Sequence, residues 1–397
     1  MNKDKLMAIT KTVLKRTNLR VYPTKTQEVL LSQAFGNSRF IWNYYTSIFL
    51  NKDLTNKVYP SIKELKEIYG FDFLKLSPSC CQQQTIRHFQ STLKQFFNKN
   101  RKSKLGRPKF KKKGVSKDSI AFSGSGIFTN KNNEIRLVGL GKLKLRGEID
   151  LNSLDRKQIK SITISKDKCN HYYASVCYEV EINYEEKDFK LKDESKSVGL
   201  DLGLTHFLID SQGKKIDNPR FLKQELEKLK FLDRCLSRKK KNSNSYKKTK
   251  LKRAKLFKSI TNKRNYFFHC ISKELVNNFD FIYVEDLSVK NMIKNRKLSR
   301  SISDVSWSKF ISILSYKCDW NGVKLHKINR WFASSKTCSE CSYQIDKLDL
   351  SIREWQCPDC ETIHDRDINA AMNILKRGEF ELTQIQNKKL SKGIDLT

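Results

Sequence analysis

No apolar run in this chain is longer than a strand, which excludes a membrane-spanning helix. The N-terminal segment MNKDKLMAITKTVLKR is charged throughout and lacks the apolar stretch of a signal peptide. No fixed-period internal repeat is visible. Acidic residues are in short supply: 42 Asp and Glu face 79 Lys and Arg, a formal net charge of +37. A surface with that excess repels itself unless a polyanion covers it, so the composition predicts a nucleic-acid partner. The 397 residues leave room for two or three domains with at least one sizeable core. Cysteine is present but odd in number, at 11. Four stand at metal-ligand spacing. The others (Cys80, Cys81, Cys169, Cys177, Cys235, Cys270, Cys318) are scattered in apolar contexts. That pattern fits a reducing interior, where free thiols act as small hydrophobes, and predicts a cytoplasmic protein.

Texture changes along the chain. NLRVYP, residues 18–23, alternates like a strand closed by Pro23. From Thr24 to about Asn100 apolar residues recur at helical spacing, and a third helix over Ile86, Phe89, Leu93, Phe96 and Phe97 begins after Pro78. The aromatics of these helices could stack on bases, but a stripe at this spacing reads first as helix core. From Gly106 to about Tyr184, IAFSGSGIFT, EIRLVGLGKLKL, IKSITISKD and HYYASVCYEVEI read as antiparallel strands of a small barrel. The basic run RPKFKKKG carries Arg107, Lys109, Lys111, Lys112 and Lys113 and reads as a phosphate-contacting strap. Residues 185–196 form a charged linker. The last region alternates buried-strand signals (VGLDLGL, THFLID, FDFIYVEDL, VKLHKI) with helices, one pair broken by KKKNSNSYKK, which predicts an α/β layer fold.

Two sets of residues carry chemistry. Phosphodiester hydrolysis by two divalent ions needs carboxylates converging from separate elements, and Mg²⁺ favours such oxygen ligands. Asp201 in VGLDLGL, Glu285 in FIYVEDL and Asp367 in DRDINAA offer one such set. A carboxylate on an apolar strand is costly to bury unless it is paired or binds metal. Ala370 and Ala371 would let the helix carrying Asp367 pack tightly on a sheet. Asp286 and Asp365 compete for the same roles on spacing alone, and either Asp365 or Asp367 suits a helix N-cap. The second set is Cys338-x2-Cys341, fifteen residues, then Cys357-x2-Cys360, a spacing that predicts a closed, structural four-thiolate Zn²⁺ site with His364 spare.

These residues resemble the TnpB family, RNA-guided nucleases of bacterial insertion sequences related to type V CRISPR effectors. RVYPTKTQEVLL with FGNSRFIWNYY, GRPKFKKK, VGLDLGL, VEDL, SSKTCSEC and CPDC-to-DRDINAAMNI carry the resemblance over nearly the whole chain. It implies a multidomain α+β protein. Residues 1–23 and 105–184 would form an antiparallel β-barrel wedge domain, with a helical recognition lobe at 24–104 inserted in it. After the linker, residues 197–332 and 364–380 would form a RuvC/RNase H-like nuclease domain, split by a zinc finger at 333–363 and followed by a tail at 381–397. The resemblance assigns Asp201, Glu285 and Asp367 as the catalytic triad holding two Mg²⁺, selecting Asp367 over Asp365. It implies a guide RNA transcribed from the transposon end, a double-stranded DNA target and a short transposon-adjacent motif approached by Ser79 and Gln83. It does not imply a membrane partner or set an oligomeric state, and it puts the protein with the nucleoid. The family's glycine after each C-x2-C is replaced here by Ser342 and Glu361, which predicts strained knuckles.

A compact CRISPR effector is the neighbouring reading, differing in the source of its guide. An RNA-guided DNA-binding regulator that does not cut would have lost a triad carboxylate, and none is lost. A tyrosine transposase would need a His-x-His pair, which the six histidines do not supply. Nor do they form an HNH-like cluster, so one carboxylate site would cut both strands in turn.

Overall fold

The computed structural model describes residues 8–51, 57–101, 105–131, 134–147, 154–155, 157–185, 196–349 and 351–390. Most of the linker, the end of the C-terminal tail and the first seven residues therefore lie outside the described residues. The chain divides into two compact units, Thr12–Glu181 and Ile182–Thr397 together with Met1–Lys11. Among the described residues no helix is long and apolar enough to cross a membrane.

The unit of residues 12–181 contains β1 (Ala8–Tyr22), α1 (Lys25–Leu50), α2 (Ile62–Glu67) and α3 (Ser79–Phe97). These are followed by β2 (Asp118–Ser123), β3 (Ile127–Lys131), β4 (Glu134–Leu137), β5 (Gly141–Arg146), β6 (Ile159–Lys166) and β7 (Tyr172–Glu185). Thr24 starts α1 with a capping box: its hydroxyl accepts the Gln27 amide while the Gln27 side chain accepts the Thr24 amide. β1 begins ten residues before the strand expected from NLRVYP, because lysines interrupt the apolar alternation of its first half. The strand order is β2-β6-β7-β1-β5-β4-β3. β2 and β3 are thus the two edges, yet only Gly124–Gly126 separates them in the chain. A sheet whose edges are joined by three residues has to curl strongly. IAFSGSGIFT is therefore two strands at opposite edges rather than one. EIRLVGLGKLKL likewise splits into β4 and β5 at a turn where Gly139 and Gly141 both take φ +70°. Inside the curl lies a core of Leu19, Phe122, Ile135, Leu143, Ile162 and Val176, while α1 and α3 enclose a second around Ile41, Tyr45, Leu65 and Phe89.

The unit of residues 182–397 begins with β8 (Ser197–Asp201), β9 (His206–Asp210) and β10 (Lys215–Asp217). Helices α4 (Phe221–Gln224), α5 (Leu226–Ser237) and α6 (Asn244–Asn278) follow, with the predicted break in the basic stretch between the last two. Then come β11 (Phe281–Glu285), α7 (Val289–Met292), α8 (Ser299–Val305), α9 (Trp307–Asn321) and β12 (Lys324–Ile328). The chain closes with the hairpin of β13 (Glu354–Gln356) and β14 (Ile363–Asp365) and the long helix α10 (Arg366–Leu390). The main sheet runs β10-β9-β8-β11-β12, with β8, β11 and β12 parallel and β9 antiparallel to both of its neighbours, β8 and β10. Apolar residues of α6 and α9 cover one face, including Phe268, Leu275, Phe310 and Leu314. Helix α10 covers the other, placing Ile374 and Leu382 against Phe281 and Tyr283.

Helix α10 lies unusually close to the sheet, and two glycines permit it. A Cβ on Gly199 would sit 2.1 Å from the Ala371 carbonyl oxygen, and one on Gly378 would sit 2.1 Å from the Tyr283 ring. Ala370 and Ala371 are buried in the same contact, as their small size predicts. The close approach brings the first turn of α10 to the carboxyl ends of β8 and β11.

Candidate active site and metal centre

Asp201 ends β8 and Glu285 ends β11. These strands are parallel neighbours with Val284 opposite Leu200, so the register carried one residue further sets the two carboxylates level at the carboxyl ends of the central strands. Asp367 enters from the first turn of α10. Burial first, and then the charges of Glu285 and Asp367, push the Asp201 carboxyl up to about 7 against weaker pulls from the Leu202 amide and Arg366. The three predicted carboxylates therefore share one electrostatic site. Glu285 is also raised by burial, opposed by a short hydrogen bond that it accepts from the Ser334 hydroxyl. Arg353 reaches Asp367 at 3.3 Å.

The competing acids have other partners. Asp365 is the N-cap of α10: its carboxylate accepts the amides of Asp367 and Ile368, each at 3.0 Å, and pairs with Lys215. Burial alone would raise its pKa, but Lys215 and the two amides outweigh burial and lower it. Asp286 pairs with Arg330.

The four cysteines converge, with ligand atoms all within 4.8 Å of one another. Cys338 and Cys360 sulfurs are 3.6 Å apart, and those of Cys341 and Cys357 are 3.5 Å apart. Tetrahedral Zn²⁺ with bonds of about 2.3 Å would hold sulfurs about 3.8 Å apart, so the donor set fits zinc. All eleven cysteines are free thiols rather than disulfides. The Thr362 hydroxyl and amide lower the Cys360 thiol to about 6, while burial and the neighbouring thiols raise Cys338 and Cys341, so Cys360 is the readiest thiolate of the cluster. His364 is not idle: its Nε2 lies 3.0 Å from the Cys338 sulfur, and its ring packs on Trp355 at 4.8 Å. Ser342 and Glu361 take φ of 66° and 58°, the left-handed conformation their positions imply.

Sequence reading missed what joins the two sets. Asn373 donates to the Ser334 carbonyl at 2.9 Å and also to that of Thr337. Asn369 donates to the Thr337 carbonyl at 2.8 Å and accepts the Ser339 amide at 2.9 Å. Both asparagines are buried on α10. They anchor the loop that carries Ser334 to Glu285 and Cys338 to the thiol cluster. Their four-residue spacing on an otherwise apolar helical face was the available signal.

In the other unit, Ser79 and Gln83 are exposed on α3, one turn apart, and Ser79 accepts from Lys66 at 3.2 Å. Arg107, Lys109, Lys112 and Lys113 are exposed on the strap. Lys111 differs. Its ammonium lies 3.7 Å from the centre of the Trp42 ring, where burial lowers it to about 8, and its backbone pairs with the Asn43 side chain. It pins the strap to α1.

Three family models match: one described as a helix-turn-helix domain over residues 7–48, one as a probable transposase over 175–296, and one as the Cas12f1-like TNB domain over 307–374. In this chain the first segment is a strand followed by one continuous helix. A Streptomyces pristinaespiralis protein named as an RNA-guided DNA endonuclease is 34% identical over 367 residues, covering 90% of this chain and 88% of that protein. InsQ of Escherichia coli (strain K12), likewise named, is 27% identical over 391 residues and 93% of each chain. The solved structure of a Cas12f1 complex with its guide RNA and target DNA matches at TM-score 0.51 and 14% identity, over 91% of this chain and 98% of that one, a likeness of fold. Full-length kinship at that identity places the chain in the TnpB-like family of RNA-guided DNA endonucleases.

Proposed function

We propose that the chain binds a guide RNA transcribed from a transposon end and cuts double-stranded DNA matched to that guide, using one carboxylate centre built from Asp201, Glu285 and Asp367. The observation that carries this reading is the convergence of those residues in a family member with an intact set: Asp201 and Glu285 end paired parallel strands, and Asp201 is raised by burial and by the charges of Glu285 and Asp367. The first sheet is read as the wedge barrel and the helices of 24–104 as the recognition lobe. The β8–β12 sheet with α10 is read as a RuvC/RNase H-like nuclease split by the zinc finger at 333–363. Base pairing would choose the target, while the protein holds backbone shape and a short adjacent motif near Ser79 and Gln83. Arg107, Lys109, Lys112 and Lys113 would contact phosphates, with Lys111 fixing the strap that presents them. A protein acting on DNA in this way would work in the cytoplasm with the nucleoid.

Two Mg²⁺ ions held by the three carboxylates would activate the attacking water and stabilise the leaving oxygen. The residues do the positioning. Asp201 and Glu285 are fixed by adjacent strands, and Ser334 orients Glu285. Asp365 caps α10 so that Asp367 faces the strand ends. Asp201, raised to about 7, holds its proton about half the time at neutral pH, so a cation bound there would displace that proton and binding would be coupled to deprotonation. The thiol cluster is structural, since four thiolates leave zinc no open position.

Sequencing the RNA that co-purifies with the protein expressed from its own locus tests the reading. A single structured RNA running off the element's end supports it. Repeat-bearing RNAs would make the chain a compact CRISPR effector, and random cellular RNA would remove the guide.

A further inference from the structure

Trp331 is 86% exposed, more than any other large hydrophobic side chain among the described residues. The turn that presents it is well fixed. The Asn329 side-chain oxygen accepts the Trp331 amide at 3.0 Å, and the Asn329 carbonyl accepts the Phe332 amide at 3.1 Å. The Asn329 amide in turn donates to Glu381 of α10 at 3.3 Å. Phe332 packs into the core beside Ile328, which turns its neighbour Trp331 outward. The ring borders an open groove of about 640 Å³ lined by Asp286, Lys327, Ile328, Asn329 and Arg330. A neighbouring cavity of about 140 Å³ is lined by Glu285 and shares Asp286 and Lys327 with the groove. An exposed indole on a hydrogen-bonded turn thus lines, with Lys327 and Arg330, a groove that shares two residues with the cavity of the carboxylate that ends β11.

We propose that Trp331 is a stacking platform for an unpaired base of the DNA strand entering the carboxylate centre. This rests on the reading of that centre as the cutting site. Every base presents a π-face, so a lone indole can hold a strand without reading its sequence. Lys327 and Arg330 flank the groove, where a phosphate backbone would lie, with Arg330 shared between Asp286 and the groove. Stacking here would fix the strand's path along a groove that shares Asp286 and Lys327 with the Glu285 cavity, so its effect falls on cutting and not on target capture.

The test uses the full chain with guide RNA and matched DNA, in an Asp201→Ala background that keeps the DNA uncut. Single 2-aminopurines are placed across the region that the wild type cuts. The platform predicts quenched fluorescence at one or two adjacent positions, restored by Trp331→Ala and retained in Trp331→Phe. In the otherwise wild-type protein, Trp331→Ala slows single-turnover cutting about 5- to 150-fold at unchanged target affinity. An exposed side chain leaves the melting temperature unmoved. The same fluorescence pattern with and without Trp331 overturns the proposal, as does an equal loss of target binding and cutting. Absence of guided cutting by the wild type would instead overturn the reading of the centre itself.

Discussion

Asp201→Asn removes a charge that the fold penalises while keeping the shape of the side chain. The carboxyl rises from 3.8 to about 7 on folding, first through burial and then through Glu285 and Asp367. At about 1.4 kcal/mol per pH unit, the ionised form costs the magnesium-free protein at most about 4 kcal/mol above pH 7. Water at the partly exposed carboxylate trims this to between about 1 and 4 kcal/mol. The sign follows from proton counting. Between pH 4 and pH 7 the folded state holds a proton that the unfolded state has lost, so stability falls as pH rises through that window. Asn has no such penalty. Without added magnesium, urea unfolding at pH 8 should therefore show Asp201→Asn to be the more stable protein. The gap should shrink to less than half by pH 5 and close near pH 4, and saturating Mg²⁺ should narrow it at pH 8 by stabilising the wild type alone. A variant no more stable at pH 8, or a gap unchanged at pH 5, would refute the raised Asp201 carboxyl and with it the buried, acid-flanked site.

Other consequences follow from the same geometry. Ser334→Ala removes the hydroxyl that holds down the raised Glu285, so the acidic limb of the cutting-rate profile should move to higher pH, with a loss of about tenfold at pH 7. An unmoved limb would detach Ser334 from Glu285. Ser342→Gly and Glu361→Gly should each relieve up to about 1 kcal/mol of left-handed strain, read as stronger zinc retention against a chelator. Weaker retention would mean that these side chains support the knuckles. Cys357→Ser should abolish the bound zinc measured by elemental analysis and unfold the 338–360 loop, and unchanged metal content would remove Cys357 from the cluster.

The parts legible in the sequence are those whose signal is local. VGLD and FIYVE read as buried strands because every residue before the acid is apolar or Gly, and both acids do end parallel neighbours. The two C-x2-C pairs give their convergence away by spacing, and α9 shows its face in Trp307, Phe310 and Leu314. Features set by pairing across the chain stayed hidden. Nothing around Gly124–Gly126 tells that β2 and β3 sit at opposite edges of one sheet. The tight seat of α10 depends on Gly199 and Gly378 meeting atoms 172 and 95 residues away. Ser334, Asn369 and Asn373 act through backbone carbonyls, which leave no mark of their own in a sequence. Lys111 looked like its neighbours until Trp42 claimed it.

The most direct test of the central claim is cutting of a plasmid by the protein loaded with a guide rewritten to match it, in wild-type and Asp201→Ala forms. The account predicts that the wild type cuts only the matched plasmid, and that Asp201→Ala binds the same site with unchanged affinity and leaves it intact. Cutting by Asp201→Ala at the wild-type rate, or cutting that ignores the guide, would contradict it.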